Sequence, residues 1–328
     1  MNYRRLGKTG MKVSEISLGT WQVGGGWGKP FDDSVAERLL NEAADAGVNF
    51  FDTADVYSGG KSEAAVGRVV RSRSEQIFVG TKCGRKISPH VAEGYTVEAL
   101  RGFVEDSLAN AGLERLDLIQ LHCPPTDVYY RPEIFELFDR LRDEGKIANL
   151  GVSVEKIEEA IKAIEYDNVS TVQIIFNMFR QRPRERFFPE AVSHDVGIIV
   201  RVPLASGLLT GKLTKDSKFE EGDHRNFNQN GEAFDRGETF GGVDYDTALK
   251  AVDELAPALP GDRSQAQSAL RWILDHAAVS CVIPGASRPE QLVDNVATSV
   301  QTPLSAEARA AVDNVYDKRI RPFVHQRW

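Results

Sequence analysis

Cysteine is scarce: the 328 residues hold three, Cys83, Cys123 and Cys281. An odd count with no close pair excludes a disulfide framework and fits a reducing compartment. No Cys/His spacing of the kind that holds zinc occurs, so no metal site is expected. Basic excess is also missing, since 40 Lys+Arg against 48 Asp+Glu leave a formal charge of −8. That charge gives no footprint for nucleic acid or for an anionic membrane surface. No apolar stretch reaches the ~18–20 residues of a membrane span. Residues 1–6 lack the apolar core of a signal peptide. Low-complexity linkers and composition breaks are absent, so one cytoplasmic domain over residues 1–328 is expected.

What the chain has in abundance is alternation. Its 41% hydrophobic and 27% charged residues suit a large soluble core. Residues 3–13 read as a short hairpin turned at Lys8-Thr9-Gly10. Short apolar runs then alternate with helical patterns, as buried parallel strands do. The strands fall at 16–19, 49–52, 77–82, 116–121, 148–152, 171–175, 197–202 and 279–283. Helices are read at 33–46, 61–71, 96–111, 131–144, 154–165, 184–194, 246–256, 264–276 and 289–298. Eight strand–helix units predict an α/β fold, a (β/α)8 TIM barrel with an N-terminal β-hairpin, and the pattern at 305–318 adds an extra C-terminal helix. A doubly wound dinucleotide fold would need Gly-x-Gly-x-x-Gly between strand and helix. The glycine run at 24–28 lacks that spacing and reads as a flexible loop. Residues 210–245 show no helical period and leave from the catalytic end of a strand, the placement of a lid.

Four polar residues stand at or just beyond these strands: Asp52, Tyr57, Lys82 and His122. In a barrel of this kind, strand C-terminal ends converge on one face. A free phenol has a pKa near about 10 and is a weak acid at neutral pH. A neighbouring Lys82 ammonium is expected to lower it, making Tyr57 a better proton donor. Asp52 would keep Lys82 charged and fixed, and His122 could orient a carbonyl oxygen. Singly, each has an ordinary structural explanation, from turn former to core histidine. Together, on three consecutive strands, they suit protonation of an oxyanion as hydride reaches carbon. Cys83 and Cys123, beside Lys82 and His122, read as small wall or core residues.

The chain here resembles the aldo-keto reductase superfamily over nearly its whole length. The resemblance rests on Leu18-Gly19-Thr20-Trp21, on Phe51-Asp52-Thr53-Ala54-Asp55-Val56-Tyr57 with Ser62-Glu63-Ala64-Ala65-Val66-Gly67, on Thr81-Lys82 and on Leu121-His122. The run from Pro203 through Ala205, Leu209 and Thr210 is similar to the bacterial and potassium-channel-β-like branch. The resemblance implies reduction of a small carbonyl substrate by NADPH, with Asp52, Tyr57, Lys82 and His122 as catalytic residues. By motif position, Ser153 and Gln173 would meet the nicotinamide carboxamide, and Thr20, Trp21 and Asp52 its riboside. Pro203, Leu204, Ser206, Gly207, Leu208, Gly211 and Lys212 would clasp the pyrophosphate with Arg225. Gly285, Ser287, Arg288, Gln291 and Asn295 would hold the adenosine phosphate, at a strand-to-helix turn suited to anions.

Two positions depart from the family pattern. Val154 stands where asparagine often follows the serine. Arg201 stands where an aromatic usually stacks on the nicotinamide; a guanidinium can stack, but its charge opposes an oxidised ring. Two other readings compete with a reductase. One is an aldolase or isomerase using Lys82 as a Schiff base, the other a non-catalytic NADPH-binding sensor. Substrate selection is assigned to loops 22–31, 123–130 and 210–245 and to the tail at 321–328.

Overall fold

The computed structural model describes residues 1–25 and 29–328. Of the expected flexible glycine loop at 24–28, and of the specificity loop at 22–31, Gly26, Trp27 and Gly28 lie outside the described residues. An antiparallel hairpin opens the chain, β1 (Tyr3–Arg5) and β2 (Lys12–Ser14), joined through the turn Gly7–Thr9. Eight parallel strands follow in sequential order: β3 (Leu18–Gly19), β4 (Phe50–Asp52), β5 (Phe78–Cys83), β6 (Leu118–His122), β7 (Leu150–Ser153), β8 (Val169–Ile175), β9 (Gly197–Arg201) and β10 (Val279–Val282). Bridges Ile16↔Val282 and Gly19↔Gly285 bring the last strand back to the first. This is the (β/α)8 barrel that the sequence predicts.

Helices α1 (Asp33–Asp45), α2 (Lys61–Ser72), α3 (Val97–Ala111), α4 (Pro132–Asp143), α5 (Ile157–Ala163) and α6 (Phe187–Ser193) follow the first six barrel strands. The predicted helix at 154–165 is shorter at its start. The Glu159 carboxylate accepts from the backbone N–H of Glu155 and Lys156, both at 3.1 Å, and holds them as a cap outside the helix. The stretch 210–245 is not devoid of helix: it carries α7 (His224–Phe227) and two short 3₁₀ turns, Arg236–Glu238 and Phe240–Gly242. Asp223 caps α7 and Asp235 caps the first of those turns. These turns are too short for a 3.6-residue period to show in sequence. Next come α8 (Tyr245–Leu255), α9 (Gln265–Leu274), α10 (Pro289–Ala297), α11 (Ala306–Val315) and α12 (Arg321–Val324). The extra C-terminal helix therefore stops at Val315 and continues as a wider turn, Tyr316–Ile320, into α12. No helix among the described residues is long and apolar enough to cross a membrane.

The hairpin plugs one end of the barrel. Leu6, Met11 and Val13 from the hairpin cluster with Phe50, Phe78, Leu118, Ile199 and Cys281 from five strands. Side chains two apart on a strand share a face, so this apolar floor sets what stands above it. Phe50 places Asp52 inward, Leu118 places Gln120 and His122, and Ile199 places Arg201. Gly80 makes room for the Phe50 ring, since a Cβ there would lie 2.8 Å from its Cζ. Phe50 itself is fully buried. Phe50→Ala is expected to destabilise the protein by about 3–5 kcal/mol through lost burial and a residual cavity. Equilibrium urea unfolding measures it, and a loss below about 1 kcal/mol would deny Phe50 this supporting role.

Candidate active site

Asp52, His122 and Arg201 are the last residues of β4, β6 and β9, and Lys82 is the penultimate residue of β5. The chain turns sharply after β4 and stays pinned to β5 through Thr53 N→Gly80 O (2.8 Å) and Asp55 N→Lys82 O (3.2 Å). That pinning returns Tyr57, at the head of the turn Tyr57–Gly60, over the barrel mouth. Lys82 is 1% exposed and forms an ion pair with Asp52. Its ammonium also donates to Thr53 O at 2.8 Å and to the Tyr57 hydroxyl at 3.3 Å. The other Asp52 oxygen accepts from Gln120 Nε2 (3.0 Å) and Gln173 Nε2 (2.8 Å). Trp21 meets the Tyr57 ring edge-on, with centroids 4.8 Å apart, and His122 does so at 6.1 Å.

Burial dominates the electrostatics. It raises the Tyr57 phenol above its ordinary value, and the Lys82 ammonium pulls it back only in part. The expected net lowering by Lys82 is therefore reversed, because removing a phenolate from water outweighs one nearby cation. Burial also works against the Lys82 ammonium, but Asp52 and Tyr57 overcome it and hold the lysine raised. His122 lies well below the usual imidazole value, first from burial and then from Lys82, Arg85 and Arg201. It is therefore neutral at neutral pH. Its Nδ1 is buried with no hydrogen-bond partner among the described residues.

These groups face a cavity of about 610 Å³. Asp52, Tyr57, His122, Thr20, Trp21, Gln173 and Arg201 line its catalytic end. Pro203, Leu204, Ser206, Gly207, Lys212 and Arg225 continue the wall, and Gly285, Arg288, Gln291 and Asn295 line it further along. Lys82 lies beneath this surface, ion-paired with Asp52. Ser153, Leu208, Gly211 and Ser287 do not line the cavity: Ser153 and Leu208 are buried, and Gly211 and Ser287 are exposed. The Ser153 hydroxyl lies 3.5 Å from Cys123 Sγ, and the Ser287 backbone N–H and hydroxyl both donate to Gln291 Oε1 (2.9 and 3.0 Å). Gln173 lines the cavity, but its amide nitrogen is already given to Asp52 and to Gln120 Oε1 (3.1 Å). The wall at 202–207 has left-handed backbone at Val202, Ala205, Ser206 and Gly207. Arg225 is ion-paired with Asp223 at 2.6 Å and stacks on Phe219 at 4.6 Å.

Four residues important to this geometry were not singled out in the sequence: Arg85, Gln120, Glu155 and Glu238. Arg201 ion-pairs with Glu155 at 3.0 Å and with Glu238 at 3.3 Å, and donates to Val154 O at 3.1 Å. Its charge is thus met by two carboxylates, one of them from the 210–245 segment. Burial pushes Glu155 up; burial would also raise Glu238, but Arg201 draws it below the ordinary value. Cys123, Glu155 and Glu238 place ligand-type atoms within 4.8 Å of one another. The Arg201 guanidinium lies among them, 3.6 Å from Cys123 Sγ, and is the cation that group already serves. Only Gln120 had a usable sequence signal, a polar residue inside an apolar strand run. The two glutamates sit in loops, where charge is ordinary.

The aldo/keto reductase family profile matches residues 15–317. The chain is 31% identical over 316 residues to a probable voltage-gated potassium channel subunit beta of Oryza sativa subsp. japonica, covering 90% of each chain. It is 30% identical over 314 residues to the NADH-specific methylglyoxal reductase of Escherichia coli (strain K12), covering 89% of this chain and 91% of that relative. Among solved structures, the holo form of aldo-keto reductase AKR11C1 from Bacillus halodurans aligns over 96% of both chains, with a TM-score of 0.77 and 28% identity. A family match across most of the barrel, and relatives of this identity over its length, make the chain a member of the aldo/keto reductase family.

Proposed function

We propose that this protein reduces aldehydes or ketones to alcohols at the expense of NADPH, with Tyr57 as proton donor. One observation carries the reading. The Tyr57 hydroxyl, bonded to a buried Lys82 ammonium at 3.3 Å, shares a cavity wall with a neutral His122, and the cavity runs on to Arg288 and Asn295. The residues present suit a phosphorylated dinucleotide. Cationic Lys212, Arg225 and Arg288 line one elongated cavity, beside left-handed backbone at Ser206 and Gly207 that turns the chain sharply. These residues would hold a reduced nicotinamide dinucleotide, whose chemistry there would be to supply hydride to a carbonyl carbon.

The protein's own groups do the rest. The neutral His122 imidazole can donate a hydrogen bond to the carbonyl oxygen and fix its direction. Tyr57 then gives its proton to that oxygen as negative charge develops. Lys82 stabilises the phenolate left behind, and Asp52 keeps Lys82 charged and in place. Gln120 and Gln173 hold the Asp52 carboxylate through its second oxygen. Glu155 and Glu238 offset Arg201, so the departure at that position puts little uncompensated positive charge beside an oxidised ring.

A Schiff-base reaction at Lys82 is disfavoured by the same geometry. A nucleophilic amine must be neutral and accessible, whereas Lys82 is buried, ion-paired and raised. A purely cofactor-sensing role is compatible with the relationship to a channel subunit beta. The complete Tyr57, Lys82, Asp52 and His122 set favours turnover instead.

Tyr57→Phe is expected to lower NADPH-dependent turnover by at least about 100-fold with cofactor affinity retained. Wild-type turnover in that variant, with any good carbonyl substrate, removes Tyr57 as the acid. Reduction needs the protonated phenol, and burial holds the proton on. The wild-type rate should therefore stay level through neutral pH and fall only above the ordinary phenol value of about 10. A fall centred near neutrality contradicts the assignment.

NADPH over NADH is assigned from Arg288, which is exposed, lines the cavity and stands at the N-terminal position just before α10, the positive end of that helix. Arg288→Ala is expected to weaken NADPH about 10-fold, one charge-assisted contact, while NADH affinity barely changes. Fluorescence quenching titrations with both cofactors measure it. Equal losses for the two would take Arg288 out of the phosphate site.

A further inference from the structure

The catalytic end of the cavity contains a cation that the reaction as proposed does not use. Arg85 stands three residues beyond Lys82, just past β5, and lines the same wall as Tyr57 and His122. The turn that aims it there runs through Gly84, at φ +100°, where a Cβ would lie 2.7 Å from the Tyr95 ring. Arg85 is half-buried. The other cations near the chemistry each have a carboxylate: Lys82 has Asp52, Arg201 has Glu155 and Glu238, and Arg225 has Asp223. Its neighbour Lys86 turns to Asp55 at 3.9 Å. No carboxylate among the described residues lies within ion-pairing distance of Arg85. Glu238 and Glu155 act on it only through space, and both are committed to Arg201.

A guanidinium drawn partly out of water without a partner is unfavourable unless something supplies the missing anion. Its planar fork matches a carboxylate or a phosphate bidentately. The position beside His122 also depresses that imidazole further, so Arg85 lies within electrostatic reach of the reacting carbonyl. Resting on the reductase reading above, we propose that Arg85 binds an anionic group on the substrate. The substrate class is then a carbonyl compound bearing a carboxylate or a phosphate a few atoms from the reacting carbon.

Two matched pairs of aldehydes test this: 4-oxobutanoate against its methyl ester, and glyceraldehyde 3-phosphate against glyceraldehyde. The readout is the ratio of kcat/KM for the charged member to that for its neutral partner. Wild-type protein is expected to prefer the charged member in at least one pair, and which pair tells carboxylate from phosphate. Arg85→Gln is expected to lower that ratio at least about 10-fold, mainly through KM, with Arg85→Lys keeping part of it. An unchanged NADPH quenching titration shows that the variants are folded. Neutral aldehydes reduced as well as charged ones, or a charge preference that survives Arg85→Gln, overturns the anion site and leaves the reductase reading standing. A wild type that reduces no carbonyl, charged or neutral, overturns the reductase reading and this inference with it.

Discussion

The ion pair between Asp52 and Lys82 is the constraint on which the site depends. Both side chains are about 1% exposed. A buried charge pair is tolerable only when hydrogen bonds satisfy its remaining donors and acceptors, and breaking one partner costs about 3–5 kcal/mol. Here the satisfaction is complete enough to organise four strands. Lys82 from β5 reaches Asp52 on β4, the Thr53 carbonyl and the Tyr57 hydroxyl, while Gln120 from β6 and Gln173 from β8 close on the second Asp52 oxygen. The phenol's position is thus a consequence of how the pair is solvated by the protein. The apolar floor built by the hairpin and Phe50 sets the height at which that pair sits.

A second layer of charge lies above the first. Arg201 is held by Glu155 from the β7–α5 connection and by Glu238 from the long segment before α8. The segment is therefore tied to the barrel by an electrostatic contact at the cavity itself. Glu238 belongs to a turn capped by Asp235, and Asp235 in turn accepts from Trp328 Nε1 at 3.1 Å. Arg180 stacks on the Trp328 ring at 4.2 Å. The tail and the 210–245 segment, both assigned to substrate selection from sequence, meet at this contact.

The barrel was legible because buried parallel strands are short apolar runs and the helices between them keep a strict amphipathic period. Asp52, Lys82 and His122 stood out for the same reason, as polar residues where apolar runs end. What escaped depends on distance through space. Glu155 and Glu238 lie 83 positions apart, and nothing in a linear pattern says that one guanidinium joins them. The Tyr57 shift was misjudged in sign because a sequence names neighbouring charges but not the extent of burial, and here burial outweighs Lys82. The late start of α5 follows from one side chain, Glu159, folding back on the two N–H groups before it.

Direct transfer of hydride from a nicotinamide to a carbonyl carbon is the central claim, and isotope tracing tests it without assuming which residue acts. The protein is supplied with NADPH deuterated at the transferable position of nicotinamide C4 and with a reducible aldehyde. The account predicts one deuterium on the alcohol carbon of the product for each NADPH consumed. Product formed without that label, together with a borohydride-stable adduct on Lys82, would contradict it and favour the Schiff-base reaction.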